Sequence, residues 1–172
     1  MKTEYVVGFL FSEGSEPQTV ALIEKKRPGW QAGKLNGIGG HIEPGETPLD
    51  AMVREFKEET GADIPAEKWK YFCKMDGGDW VVWCYKSFGQ SLLRSMTDEP
   101  VMKVRLTWLY DAREEIIPNL NWLIPLALDP ENSVAEVSTY LPGEGPKVCW
   151  VLNPEWANAT HEIELPSEVR KT

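Results

Sequence analysis

The sequence predicts an α/β fold, and three features carry that expectation. Apolar, β-branched and aromatic runs recur along the first 109 residues, each closed by Gly, Pro or polar punctuation. Among them sits one stretch with a helical period and both terminal signals, residues 47–61. A second apolar segment, Asn121 to Leu128, follows the last long run and reads as a helix that covers a sheet. With 172 residues and no internal repeat, the chain reads as one domain over 1–172, with 141–172 as a C-terminal extension of unassigned structure.

Tyr5 to Phe11 is an apolar strand stopped by Ser12-Glu13-Gly14-Ser15, and Thr19 to Glu24 is the next; the polar turn between them predicts a hairpin. Gly8 within the first run marks a place where a ligand or another backbone comes close. Lys25 to Gly37 is a loop punctuated by Gly and Pro. The helix follows: Thr47 is its N-cap, Pro48 its first residue, Asp50 completes a box-like start and Gly61 stops it. Leu49, Met52, Val53 and Phe56 fall at i, i+3, i+4 and i+7, making one apolar face.

Ile64 to Trp69 is a short connection. Tyr71–Met75 and Trp80–Lys86 are strands joined by the turn Asp76-Gly77-Gly78-Asp79. In the second of these, Trp80, Val82 and Cys84 share one face, and Val81, Trp83 and Tyr85 the other. Both faces are apolar, so this strand belongs in the middle of the sheet with its aromatic rings in the core. Val101 to Leu109 reads as a further strand, Asp111 to Pro118 as a short helix or turn. Beyond Asp129, the pieces 135–140, 148–152 and 162–165 are β-like.

The net charge of −9 argues against polymeric nucleic acid or anionic membrane as a partner, because phosphate backbones demand a basic surface. A small anionic ligand is compatible with it. Cys73, Cys84 and Cys149 are widely spaced and read as reduced, buried thiols. The N-terminus carries no signal-peptide pattern and no stretch is long enough to span a bilayer, so the expected location is cytoplasmic.

One feature of the helix is unfavourable on its own. Glu55, Glu58 and Glu59 fall at i, i+3 and i+4 beside the apolar stripe. Glu55 and Glu59 are a like-charge pair costing about 0.2–0.5 kcal/mol, and Glu58 and Glu59 occupy the last turn, where the helix dipole favours cations. Arg54 can pair with Glu58 but leaves the others, and Glu46 adds a carboxylate just ahead. The block is either a solvated acidic face or a site for a hard divalent cation, held by carboxylates, water and substrate phosphates.

Gly40, Glu46 after five intervening residues, Arg54-Glu55 after seven more, then Glu58-Glu59 and Gly61 form a pattern that resembles the signature of the Nudix hydrolases. Ala62 departs from the larger aliphatic residue usual there, which touches packing rather than chemistry. The resemblance implies an α/β/α sandwich with a mixed β-sheet. It implies metal-dependent hydrolysis of a nucleoside diphosphate linked to another group, with Mg²⁺ as cofactor and Mn²⁺ as the alternative ion. Glu55, Glu58 and Glu59, with the carbonyl of Gly39, would hold the metal. Glu58, Glu55, Arg54 and Glu46 would form the catalytic set, Arg54 orienting the carboxylates and one of the three helix glutamates activating water.

Lys25-Lys26-Arg27, Ala32-Gly33-Lys34 and Asn36-Gly37-Ile38-Gly39-Gly40 further resemble the branch that hydrolyses oxidised purine nucleoside triphosphates. By that likeness Trp30 stacks on a base, Asn36 hydrogen-bonds it, and Lys26 and Arg27 neutralise phosphate. The competing readings are core packing for Trp30 and a solvated turn for the cations. The branch has a Pro followed by two acidic residues where this chain reads Pro118-Asn119-Leu120, so Asn119 would bond a base edge with a different preference. Asp98 or Glu99 would supply a further carboxylate, or be a simple loop acid; His41 would touch phosphate or lie in a surface turn.

The expected partner is a small nucleotide, and the expected assembly a monomer or homodimer. The leading substrate is a purine nucleoside triphosphate, oxidised or modified, cut to monophosphate and pyrophosphate. ADP-ribose, a nucleotide sugar or a dinucleoside polyphosphate is the alternative, and a non-catalytic nucleotide sensor the alternative of another class.

Overall fold

A computed structural model of the chain describes residues 2–109, 111–130 and 135–138. In chain order these form β1 (Thr3–Phe11), β2 (Thr19–Glu24), β3 (Leu35–Asn36), α1 (Pro48–Thr60), a 3₁₀ turn at Ala66–Lys68, β4 (Lys70–Asp76), β5 (Trp80–Phe88), β6 (Val101–Arg105), α2 (Leu106–Leu109), α3 (Leu120–Leu128) and β7 (Ala135–Ser138). The strands make one mixed sheet in the order β3-β2-β1-β5-β4-β7, with β6 paired to β2. β1 runs parallel to β5 along its whole length, and β4 is antiparallel to β5 and parallel to β7.

Alternation along β1 divides the core. Val7, Phe9 and Phe11 point to the face covered by Leu120, Leu123, Ile124 and Ala127 of α3. Val6 and Leu10 point to the face covered by Ala51, Met52 and Phe56 of α1. The two helices therefore cover opposite faces, giving the expected α/β/α layering. β5 sits between β1 and β4, and its two apolar faces enter the two core clusters as the alternation predicts. Phe56 is fully buried and meets Trp69 edge-on at 5.0 Å. Truncating such a ring costs about 3–5 kcal/mol, and this contact pins α1 to the sheet.

The predicted start and stop of α1 hold in detail. Thr47 accepts from Asp50 N, Asp50 accepts from Thr47 N, and Gly61 takes the left-handed conformation at φ 69°. The last carbonyls are met from outside the helix: Met96 N donates to Glu59 O and Arg94 N to Thr60 O.

Two sequence expectations hold in narrower form, and two need correction. The hairpin of β1 and β2 is paired in register only at Phe11 and Val20; toward its N-terminus β1 instead hydrogen-bonds the glycine segment 38–42, through Val6 N to Gly40 O and Gly8 N to Ile38 O. Gly8 does admit another backbone, exchanging hydrogen bonds with Ile38 at 2.7 and 3.1 Å, but it has no room for a ligand on its Cβ side, where a Cβ would lie 2.6 Å from Met52 Cε and 3.0 Å from Trp69 Cζ3. The strand expected over 101–109 ends at Arg105, opposite the start of β2 at Thr19, with one more bond from Leu106 N to Gln18 O; Leu106–Leu109 turn into α2 and bury Leu109. Leu35 and Asn36, read as loop, form β3, held by Leu35 N to Glu115 O and Ile117 N to Leu35 O. The β-like piece at 135–140 is described as far as Ser138; those at 148–152 and 162–165 lie outside the described residues. Among the described residues no helix is long and apolar enough to cross a membrane.

Candidate active site

The glycine segment lies between β1 and α1, and at two places a side chain has no room. Gly39 has φ 152°, and a Cβ on it would lie 2.2 Å from the Val6 carbonyl oxygen. A Cβ on Gly40 would lie 2.6 Å from both carboxylate oxygens of Glu55. The loop thus packs its backbone directly against the acidic face of the helix. Gly39 N donates to Glu59 Oε2 at 3.0 Å.

Arg54 is the hub of the carboxylates. It grips Glu46 with two bonds, Nε to Oε1 at 2.7 Å and an Nη2 bond to Oε2 at 2.8 Å. Its Nη1 reaches Glu55 at 2.9 Å and Glu58 at 3.2 Å, and its Nη2 also donates to the His41 carbonyl at 3.0 Å. The Arg54 hydrogen bond holds the Glu46 carboxyl down at about 2, helped by the backbone N–H that Glu46 accepts from Glu43. Glu59 lies outside this grip. Burial pushes its carboxyl up to about 7, and neighbouring Glu55 and Glu99 add to the rise, against the pull of Lys25 and the Gly39 N–H.

Among the described residues no three His, Cys, Asp or Glu side chains converge on one point as a finished cation cage. Glu55 and Glu58 lean on Arg54, and Glu59 on Gly39. The donor set nevertheless fits a hard divalent ion: the groups are carboxylate and carbonyl oxygens, and Glu59 carries charge that its surroundings leave incompletely offset.

Glu99 and Asp98 part company. Glu99 is buried, accepting from Lys25 Nζ at 2.5 Å and Lys26 N at 2.7 Å. Burial raises the Glu99 carboxyl, but these donors outweigh it and hold it below the ordinary value. Asp98 faces out and binds Arg27 at 2.6 Å, with Lys26 4.0 Å away. Lys34 is taken by the Glu114 carbonyl.

Trp30 stands at the tip of a tightly closed loop, 67% exposed, which removes the core-packing reading. Asn36 is half-buried; its Oδ1 accepts from Gly37 N and its Nδ2 donates to Gln31 Oε1 at 3.3 Å. Leu35 pairs with residues 115–117, just ahead of Asn119 at the start of α3. Asn119 Nδ2 lies 3.7 Å from Met75 Sδ, while its buried Oδ1 has no partner. His41 is exposed, its ring 4.4 Å from that of Tyr5. The sequence gives no sign that Lys25 pairs with Glu99 or Gln31 with Asn36, since each depends on how distant segments meet.

A model of the NUDIX domain matches residues 1–137, and the chain belongs to that family. It is 47% identical over 49 residues to the oxidized purine nucleoside triphosphate hydrolase of Mus musculus, covering 28% of this chain and 31% of the relative. It is 35% identical over 75 residues to the 8-oxo-dGTP diphosphatase of Escherichia coli K12, covering 44% of this chain and 54% of that protein. These matches span about a third and about half of the relatives' lengths. A solved bifunctional NMN adenylyltransferase/ADP ribose pyrophosphatase of Francisella tularensis, complexed with AMP and a manganese ion, shares the fold: TM-score 0.63 at 17% identity, over 75% of this chain and 42% of that one.

Proposed function

We propose that this protein is a divalent-metal-dependent pyrophosphohydrolase that cuts a purine nucleoside triphosphate, oxidised or otherwise modified on the base, to monophosphate and pyrophosphate. The observation that carries the reading is the packing of the Gly39–Gly40 backbone directly on the acidic face of α1, Gly39 N on Glu59 and Gly40 against the Glu55 carboxylate. Its support from relatives is the hydrolase and diphosphatase activity named for the mouse and E. coli proteins.

In this reading the Gly39 carbonyl, Glu55, Glu58 and Glu59 hold Mg²⁺ or Mn²⁺, with Glu99 as a further oxygen donor. The ion, when bound, clamps phosphate oxygens and offsets the charge that develops on the leaving group. Arg54 fixes the directions of Glu55 and Glu58 and keeps Glu46 ionised beside them. One of the helix carboxylates takes the proton of the attacking water. The water oxygen bonds to phosphorus, the bridging P–O bond breaks, and pyrophosphate departs with the electron pair. Lys26 and Arg27, exposed and lightly held by Asp98, turn to phosphate. Trp30 offers a face for stacking, worth about 1–3 kcal/mol per base. Asn36 and the orphaned Oδ1 of Asn119 read base edges, the latter accepting an N–H.

Asn119 and Leu120, standing where the triphosphate branch has two acids, favour a second reading in which ADP-ribose or another nucleotide diphosphate conjugate is cut at the same phosphoanhydride. The experiment is a panel of purine triphosphates, ADP-ribose, nucleotide sugars and dinucleoside polyphosphates with Mg²⁺ or Mn²⁺, with Glu58→Gln as control. The expected result is pyrophosphate released with a modified purine monophosphate, falling at least a hundredfold in the variant. Release of AMP and ribose phosphate from ADP-ribose alone would select the second reading. Tight nucleotide binding without turnover of any substrate would make the protein a sensor.

A further inference from the structure

We infer that Lys25 is the internal counter-ion of this site: its ammonium holds Glu99, and a divalent ion gains that carboxylate only by displacing the lysine. The inference rests on the metal site proposed above and goes beyond it. It sets Lys25 apart from Lys26 and Arg27, which face Asp98, and gives it control over when metal binds.

Both oxygens of Glu99 are engaged, Oε2 by Lys25 Nζ at 2.5 Å and Oε1 by Lys26 N at 2.7 Å. The pair is withdrawn from solvent, with side-chain exposures of 16% for Lys25 and 5% for Glu99. A carboxylate so buried requires a cation beside it. Lys25 also attracts Glu59, while Glu99 and Glu59 repel, so one ammonium serves two acids from two different elements. Lys26 and Arg27 do not compete for this place, because they turn outward to Asp98, whose side chain is 53% exposed.

Glu99 itself is fastened. Met96 N and Arg94 N bond the terminal carbonyls of α1 on one side, and Glu24 N bonds Pro100 O on the other. Lys25 ends in a flexible four-carbon stem, so the lysine is the part that moves. When a triphosphate arrives, its oxygens receive the released ammonium while the ion takes Glu99. Metal and nucleotide then bind with positive coupling, each removing the obstacle to the other.

The test titrates Mn²⁺ into wild type, Lys25→Met, Glu99→Gln and the double variant, by calorimetry and by the electron paramagnetic resonance of free Mn²⁺. Titrations are repeated with a non-hydrolysable purine triphosphate analogue. The expected result is Mn²⁺ bound at least tenfold tighter by Lys25→Met than by wild type without nucleotide, and a smaller gain on adding the analogue. In the Glu99→Gln background the lysine substitution gives a clearly smaller gain, the remainder coming from its pull on Glu59. Lys25→Gln, which keeps a hydrogen bond to Glu99 and removes the charge, gives the same tightening if Lys25→Met fails to fold. Affinity unchanged or weakened in these lysine variants, or tightened equally in the Glu99→Gln background, overturns the inference while leaving the metal site standing. A wild type that binds no Mn²⁺ with or without the analogue overturns both.

Discussion

Glu59 bears the conflict between folding and function. Its side chain is mostly buried, accepts one N–H from Gly39, and sits beside Glu55 and Glu99. An ionised carboxylate in that position opposes folding unless a cation joins it. Glu59→Gln keeps an oxygen for the Gly39 N–H and removes the charge. Urea unfolding of chelator-treated protein at pH 8 is expected to find the variant more stable by on the order of 1–3 kcal/mol, with hydrolysis lost. A variant less stable than wild type would mean that the ionised form is already well compensated. Some of this was legible from residue spacing: the unfavourable stripe at Glu55, Glu58 and Glu59 needs only the helical period to be noticed. Which acid would be buried was not, because that depends on where the Gly39 segment and the loop of Glu99 land. Trp30 is a similar case, since composition cannot tell a core tryptophan from one standing 67% exposed at a loop tip.

The element that organises the site is α1 with the glycine segment laid against it. Its caps, length and buried face were readable because the signals are local: Thr47 with Asp50, Pro48, Gly61, and Met52 and Phe56 inward. The two glycines were readable as a motif, but their reasons emerge only from the contacts. Gly39 is required by the Val6 carbonyl, and Gly40 by the Glu55 carboxylate. These reasons predict different outcomes. At Gly40 the obstructing atoms are the far end of a flexible side chain, so Gly40→Ala is expected to shift the melting temperature by no more than about 2–4 °C. The displaced Glu55 should weaken Mn²⁺ binding by about tenfold or more, near 1.4 kcal/mol. Loss of folding in Gly40→Ala, or unaltered Mn²⁺ binding, would show that the glycine serves the backbone and not the carboxylate.

At the scale of the whole molecule, the strands were mostly visible and their order was not. Nothing local says that β1 runs parallel with β5 from Thr3 to Phe11 while meeting β2 in register only at Phe11, or that the edge left free takes up residues 38–42. That rearrangement carries the glycine segment to the helix. Likewise the ties of Lys2 to Asp76, Lys25 to Glu99 and Arg54 to Glu46 join distant segments. All three acids titrate below their ordinary values. An acid whose folded value is lowered binds fewer protons folded than unfolded, so its stabilisation is complete above the unfolded value, about 3.9–4.3. It is lost as pH falls through the folded value, about 2 for Glu46. Unfolding free energy should therefore decline steeply between about pH 4.5 and pH 2. In Arg54→Met the Glu46 share of that decline should shrink to what the Glu43 N–H sustains; an identical acid limb in variant and wild type would remove Arg54 and Glu46 from the account.

Divalent-ion binding by the three helix glutamates is the claim on which the rest stands. Mn²⁺ titrated into the full chain with a purine triphosphate analogue, followed by electron paramagnetic resonance, reads it directly. Saturable binding in wild type, lost when Glu55, Glu58 and Glu59 are together replaced by Gln in a chain that still melts cooperatively, is the predicted result. Equal binding in the two proteins, or none in either, would contradict it.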